Sequence, residues 1–225
     1  MKMLIRLYYM STRAAFIISL SLIALTLAIG LYYYAALPAV MAGHWDAAGV
    51  ANGTISKFWG VTLLPLLMFV ILWVLVVVAR IDPLRSNIEA FRGTYNTFLT
   101  ILMLFFAGVQ IAVLAVNLGV KFNIDIAIMP LVGILFFYIG TVLPRTKRNY
   151  FMGVRTPWTV SSDIVWDKTN RLGGTLFKVL GVLAILTVLA PSYAIVAFAV
   201  PTVIVVFGLV LYSYVAYREA GVRAH

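Results

Sequence analysis

Long apolar runs alternate with short polar segments along nearly the whole chain. A helix needs about 20 mostly apolar residues to cross roughly 30 Å of hydrocarbon. Six stretches qualify: Ala14 to Ala36, Trp59 to Ala79, Tyr95 to Leu118, Ile124 to Leu143, Thr175 to Ala190 and Tyr193 to Tyr217. The fifth is the shortest and is expected to begin earlier, as the continuation of a polar helix. The pattern predicts an all-α, polytopic integral membrane protein with six transmembrane helices. The first run reads as a span rather than a cleaved signal peptide, because its apolar core exceeds the roughly 7–15 residues of a secretory h-region.

Composition agrees with this reading. Of 225 residues, 11% are charged, against roughly 25% in soluble domains. There is no cysteine, which excludes disulfides, thiolate metal sites and cysteine nucleophiles. The net charge of +10 gains meaning from its distribution. With the N-terminus inside, only Lys57 and Lys121 of the 17 basic residues fall outside, as the positive-inside rule requires. Both termini are therefore expected in the cytoplasm, the protein is expected in the cell membrane, and the charge reads as topology signals and anionic-lipid contacts. No motif for direct nucleic-acid binding accompanies it.

The first outer loop, residues 37–58, contains Gly43, Gly49 and Asn52-Gly53, which permit tight turns with positive φ. It is expected to be compact and to lie on the outer surface, with Trp45, Phe58 and Trp59 at the membrane interface. His44 and Asp46 are its only imidazole and carboxylate. A metal site normally takes three or more ligands, so no metal and no cofactor is expected. Two readings of His44 stay open: it orients the loop by hydrogen bonds, or it receives an external ligand. Asn52-Gly53-Thr54 is a formal glycosylation sequon as well as a turn sequence.

The segment between the fourth and fifth spans is polar, aromatic and basic. It includes Asn149-Tyr150-Phe151-Met152-Gly153-Val154-Arg155-Thr156-Pro157-Trp158-Thr159, and then Trp166-Asp167-Lys168-Thr169-Asn170-Arg171-Leu172-Gly173-Gly174. Gly153 allows a turn. Thr156 is biased to extended geometry by Pro157. Ser161 or Ser162 can cap a short interfacial helix with Asp163 in its first turn. Asp167 and Arg171 can pair at i, i+4. Ile164, Val165, Trp166 and Leu172 give that helix an apolar side. Arg155, Trp158, Trp166 and Arg171 either lock the loop against the bundle or form a docking surface, and the two roles are compatible.

This segment resembles the signature of the SdpI-type family of membrane immunity proteins, which protect a cell from a secreted peptide toxin of the sporulation-delaying kind. The spacing of Leu37-Pro38, His44-Trp45, Gly49, Asn52-Gly53 and Lys57 is similar to a membrane hairpin domain often found ahead of that region. The resemblance covers roughly residues 30–215. It implies a two-span hairpin domain over 1–92, and a four-span domain over 93–225 with its cytoplasmic signature loop at 144–174. It also implies contact with a toxin outside, assigned to His44, Trp45 and Asp46, and with a cytosolic transcriptional repressor inside. The signature residues are Asn149, Gly153, Arg155, Thr156, Pro157, Trp158, Trp166, Thr169, Arg171 and Gly173, and the inner contact is assigned to Arg155, Trp158 and Arg171. Asn170 departs from the family, which usually shows His there, so a proton-linked role at that position is put in doubt.

The carboxylates sit at span ends, as Asp125 does, or in loops, so none within the bilayer suggests ion coupling, and no two halves of the chain repeat as in many transporters. Asn96, Gln110 and Asn117 read as hydrogen-bonding groups between helices. Gly133 and Gly140, and Gly174 and Gly181, each recur at seven residues and permit close helix packing. A transporter or channel is the alternative to an immunity protein. A membrane enzyme finds no supporting motif.

Overall fold

The computed structural model describes residues 10–221. Helix α1 spans Thr12–Tyr32. Strands β1 (Val40–Trp45) and β2 (Ala51–Ser56) follow. Then come α2 (Lys57–Ile81), a short α3 (Arg85–Ala90), α4 (Arg92–Asn117) and α5 (Ile124–Val142). A one-turn α6 (Pro157–Ser161) precedes α7 (Asp163–Leu186) and α8 (Ala194–Glu219). Among the described residues, six helices are long and apolar enough to cross a membrane: α1, α2, α4, α5, α7 and α8. Proline lies within α2, α5 and α8, a placement that membrane helices tolerate when neighbours satisfy the freed backbone groups.

Two boundaries differ from expectation. Helix α1 ends at Tyr32 rather than Ala36, and Tyr33 to Leu37 run through successive tight turns. Leu37 precedes Pro38, which disfavours helix at that residue, and its side chain is buried. The second difference is an addition: a separate turn, α6, precedes the expected interfacial helix, which from Asp163 onward is one unbroken helix with the fifth span, as the shortness of that span suggests.

The helices pack in two groups that share α4. Ile23, Met68, Leu72, Met103 and Ala107 form a buried cluster joining α1, α2 and α4. On the other side α5 and α7 meet along their glycines. A Cβ on Gly133 would sit 2.6 Å from the Gly181 carbonyl oxygen, and one on Gly140 would sit 2.6 Å from that of Gly174. The two seven-residue repeats therefore face each other, and the backbones approach as small-residue seams allow. Large apolar side chains such as Leu66, Val74, Ile204 and Phe207 point outward and are exposed. In water that surface would be a liability; in a bilayer it is the lipid-facing wall.

Of the three polar groups expected between helices, Gln110 and Asn96 join α4 to α2 and to the start of α1, whereas Asn117 binds strand β1. Gln110 Nε2 donates to the Gly60 carbonyl at 2.9 Å, and Asn96 Nδ2 donates to the Met10 carbonyl at 2.9 Å. Both side chains are buried.

Candidate functional site

At one end of the bundle β1 and β2 form an antiparallel hairpin, with Met41 opposite Ile55 and irregular register between Ala42 and Trp45. Its turn is made by Asp46, not by Asn52-Gly53. The Asp46 carboxylate accepts from the amides of Ala48 (2.9 Å) and Val50 (3.0 Å), and Gly49 takes φ +75°. Asn52 and Gly53 lie in β2. Gly53 is needed there for space, since a Cβ would meet that of His44 at 2.8 Å. His44 is exposed, and its Nδ1 lies 2.6 Å from Asn52 Oδ1 across the hairpin. Trp45 and Asp46 are half-buried.

The hairpin is fastened to the helices by residues outside the expected site. Asn117, at the end of α4, accepts from the Ala42 amide (2.7 Å) and donates to its carbonyl (3.0 Å), like one more strand residue. Asn123 donates to the Ala48 carbonyl at 2.9 Å and also caps α5 through the Asp125 amide. Lys57 Nζ reaches the Tyr34 carbonyl at 3.1 Å and lies over the Tyr34 ring. Asp125, in the first turn of α5, is buried, and one of its carboxylate oxygens has no partner among the described residues.

The opposite end holds the loop of residues 146–162. It has little regular structure, yet its core is buried and knit by amide side chains. Asn149, fully buried, donates to the carbonyls of Lys147 (2.7 Å) and Met152 (2.9 Å). Its Oδ1 accepts from the amides of Phe151 (2.8 Å) and Met152 (2.7 Å). Gly153 takes φ +131°, a conformation that side chains avoid. A Cβ there would also collide with Trp166 and with Asn170 Oδ1. Trp166 is buried and donates its indole N–H to the Thr146 carbonyl at 3.2 Å. Asn170 accepts from the Val154 amide at 2.8 Å and donates to the Trp166 carbonyl at 3.0 Å. Its role is therefore structural, and amide chemistry suffices for it.

Thr156 caps α6. Its hydroxyl accepts from the Thr159 amide, while the Thr159 hydroxyl accepts from the Thr156 amide and donates to the Val154 carbonyl. This is a reciprocal capping box with Pro157 at the position that suits proline. The Thr156 hydroxyl also reaches Ser213 Oγ on α8 at 3.0 Å. Thr169 and Gly173 are buried beneath the loop, and the Thr169 hydroxyl has no partner among the described residues.

The same loop has an exposed rim. Arg155 is exposed and donates to the Tyr150 carbonyl. Trp158 is half-buried and packs its ring against Tyr214 at 5.1 Å. Arg171 is exposed and pairs with Asp167 at 3.0 Å. Ile164, expected on the apolar side, points away and is exposed, because Val165 and Trp166 occupy the buried face. Three further residues brace the loop. Asp82 accepts from the Tyr150 amide at 2.9 Å, and Asn87 donates to the Arg148 carbonyl at 2.8 Å. Arg148 donates Nη1 to the Val160 carbonyl. Its Nε lies 2.9 Å from Asp163, but that atom has no hydrogen bond of good geometry, so the contact is charge pairing. A polar cavity of about 510 Å³ opens beside these groups, lined by Lys147, Arg148, Asp163, Asp167 and Lys168.

Fold and sites together define a polytopic helical membrane protein with a strand hairpin at one end and an amide-knit loop at the other. Residues 145–215 match the SdpI/YfhL protein family, and residues 21–69 match a domain of unknown function, DUF1648. The chain is 24% identical over 204 residues to "Immunity protein SdpI" of Bacillus subtilis (strain 168), covering 90% of this chain and 96% of that relative. The chain is thus similar to the SdpI-type family in these segments and along most of its length. No solved structure matches it.

Proposed function

We propose that this chain is a membrane immunity and signalling protein, protecting the cell from a secreted antimicrobial peptide and holding a cytosolic repressor when that peptide is present. The observation that carries this reading is the relation to an immunity protein over nine-tenths of the chain. The geometry supports it by setting a built surface at each end of one bundle. In this reading the N-terminal hairpin unit, residues 1–92, presents His44, Trp45 and Asp46 to the toxin. The four-span unit, residues 93–225, presents Arg155, Trp158 and Arg171 to the repressor. In this reading the termini and the amide-knit loop are cytoplasmic, an orientation that the distribution of basic residues supports.

The inner rim suits such a partner because its exposed guanidiniums are planar donors for carboxylates and carbonyls. They stand on a frame that other residues hold. No catalytic role is assigned to any residue.

The test is protection of membrane potential in toxin-sensitive cells challenged with a pore-forming peptide of the sporulation-delaying type. Wild type is expected to retain potential. His44→Ala is expected to lose protection, whereas Arg155→Ala is expected to protect but to fail in retaining the repressor at the membrane. Collapse of potential with wild type present at normal membrane levels would overturn the immunity reading.

A further inference from the structure

A second polar feature lies at the basic end of the bundle, among α1, α2 and α4. A cavity of about 440 Å³ is lined by Thr12, Arg13, Arg80 and Asn96 at its polar part, and by Phe16, Leu72 and Trp73 along an apolar wall. A smaller one, about 250 Å³, shares Thr12, Arg80 and Asn96 with it and adds Glu89 and Arg92. Among the described residues, the charged groups lining this space are thus three guanidiniums and one carboxylate. Arg92 is committed to that carboxylate, with its Nε 3.2 Å from Glu89 Oε2. Among the described residues, Arg13 and Arg80 form no ion pair with a carboxylate.

Two further details point to an anion with a donor group attached. Arg13 lies in the first turn of α1, where the positive end of the helix dipole disfavours a cation. An anion at that position relieves both charges. Asn96 is 1% exposed, and its Nδ2 is used twice, on the Met10 carbonyl and the Thr12 hydroxyl. Those two acceptors fix the orientation of the amide. Its Oδ1 is left as a buried acceptor with no partner among the described residues, in a side chain that lines both cavities. A buried acceptor left unpaired is costly, so the site calls for a hydroxyl beside the anion.

The apolar wall says what carries them. Trp73 is exposed at the bundle surface and meets the edge of Phe16 at 6.0 Å. A soluble anion would leave this wall bare, whereas a lipid covers wall and arginines together. We propose that this cavity binds one anionic phospholipid with a hydroxylated headgroup. Its phosphate sits between Arg13 and Arg80, a headgroup hydroxyl donates to Asn96 Oδ1, and an acyl chain lies along Phe16 and Trp73. The lipid ties α1 to α2 and α4 at the end where they carry their basic residues.

The experiment is lipid retention by the full chain, purified in mild detergent and measured by native mass spectrometry. The probes are phosphatidylglycerol, phosphatidylmethanol, phosphatidylcholine and soluble glycerol phosphate. Phosphatidylglycerol is expected to bind best, and phosphatidylmethanol, an anion without the hydroxyl, several-fold more weakly. Arg13→Gln with Arg80→Gln is expected to weaken phosphatidylglycerol roughly thirtyfold, the loss of two arginine contacts with an anionic lipid. Lys121→Gln, an exposed cation at the other end of the bundle, is expected to change nothing. Equal retention of phosphatidylcholine, or equal loss in Lys121→Gln, would mean diffuse charge attraction and overturn the site. Competition by glycerol phosphate at the same strength would mean a soluble anion and overturn the lipid.

A readout on wild type guards against a variant that fails to fold. Phosphatidylglycerol brominated on its acyl chains should quench tryptophan fluorescence more than brominated phosphatidylcholine does. The difference should vanish in Trp73→Phe, and its absence from wild type would likewise overturn the proposal.

Discussion

The two ends of this bundle solve one problem in opposite ways. Both must present polar chain at a membrane surface without leaving backbone groups unpaired. The hairpin pairs backbone with backbone and leaves His44 outside. The amide-knit loop pairs backbone with side chains and buries most of the residues that make it distinctive, among them Asn149, Thr156, Trp166, Thr169, Asn170 and Gly173. A hairpin can exchange its outward side chains with little penalty, because the backbone ladder holds it. The loop cannot, because its side chains are its ladder. The more distinctive sequence is thus mostly frame, and only its rim at Arg155, Trp158 and Arg171 is free to meet a partner.

The largest test of that contrast is tryptophan for tryptophan. Trp166→Ala is expected to destabilise the protein by about 3–5 kcal/mol, the range for emptying a buried aromatic site. It also orphans the Thr146 carbonyl and removes a wall of the Gly153 turn. Trp45→Ala, at a half-buried hairpin position, is expected to cost about 1 kcal/mol or less. Unfolding in mixed detergent, followed by circular dichroism, reads both. Equal losses would break the comparison.

Much of this architecture is legible in the sequence. The spans follow from hydropathy and length, and the seam from glycines repeating at seven. The Ser162 cap of α7 and the Asp167–Arg171 pair follow from spacing. The hairpin was less legible. Gly43, Gly49 and Gly53 look alike as turn formers, but only Gly49 takes positive φ, and the other two make room for Ile55 and His44 across the strands. Long-range partners left no local signal. Asp82 reads as the end of a span and Asn117 as a polar residue within one, yet each grips a segment 68 or 75 residues away. Sequence spacing shows neighbours along a helix face, and these contacts are made between chain segments.

A smaller effect is expected from exchanging the amides. Asn149→Leu removes four hydrogen bonds within a fully buried turn and should cost about 2–3 kcal/mol, because the carbonyls and amides it served are left unsatisfied. Asn117→Leu removes the grip on Ala42 and one bond to its own helix. It should cost about 1 kcal/mol, since the hairpin keeps its ladder and the freed groups lie near water. Limited proteolysis distinguishes the local outcomes: cleavage near Arg155 should rise in the first variant, and near Val50 in the second. Cleavage of the hairpin in both would mean that the two ends are not independently held.

The smallest effect concerns acid. Close to the bracing residues of the inner loop, a hydrogen bond from Arg92 holds the Glu89 carboxyl below its usual range, with partial burial opposing it and the Arg92 charge adding to it. A carboxyl whose folded pKa is depressed contributes stability above its unfolded value. That contribution fades as pH falls through the folded value. Stability should therefore decline slightly below the ordinary glutamate range, and Glu89→Gln should remove that part of the decline. Because Glu89 is largely exposed, the difference should stay within about 0.5 kcal/mol, as for other surface pairs. Thermal unfolding in detergent, compared between wild type and Glu89→Gln over that acid range, reads the difference. A decline as steep in Glu89→Gln as in wild type would show that this pair does not limit stability in acid.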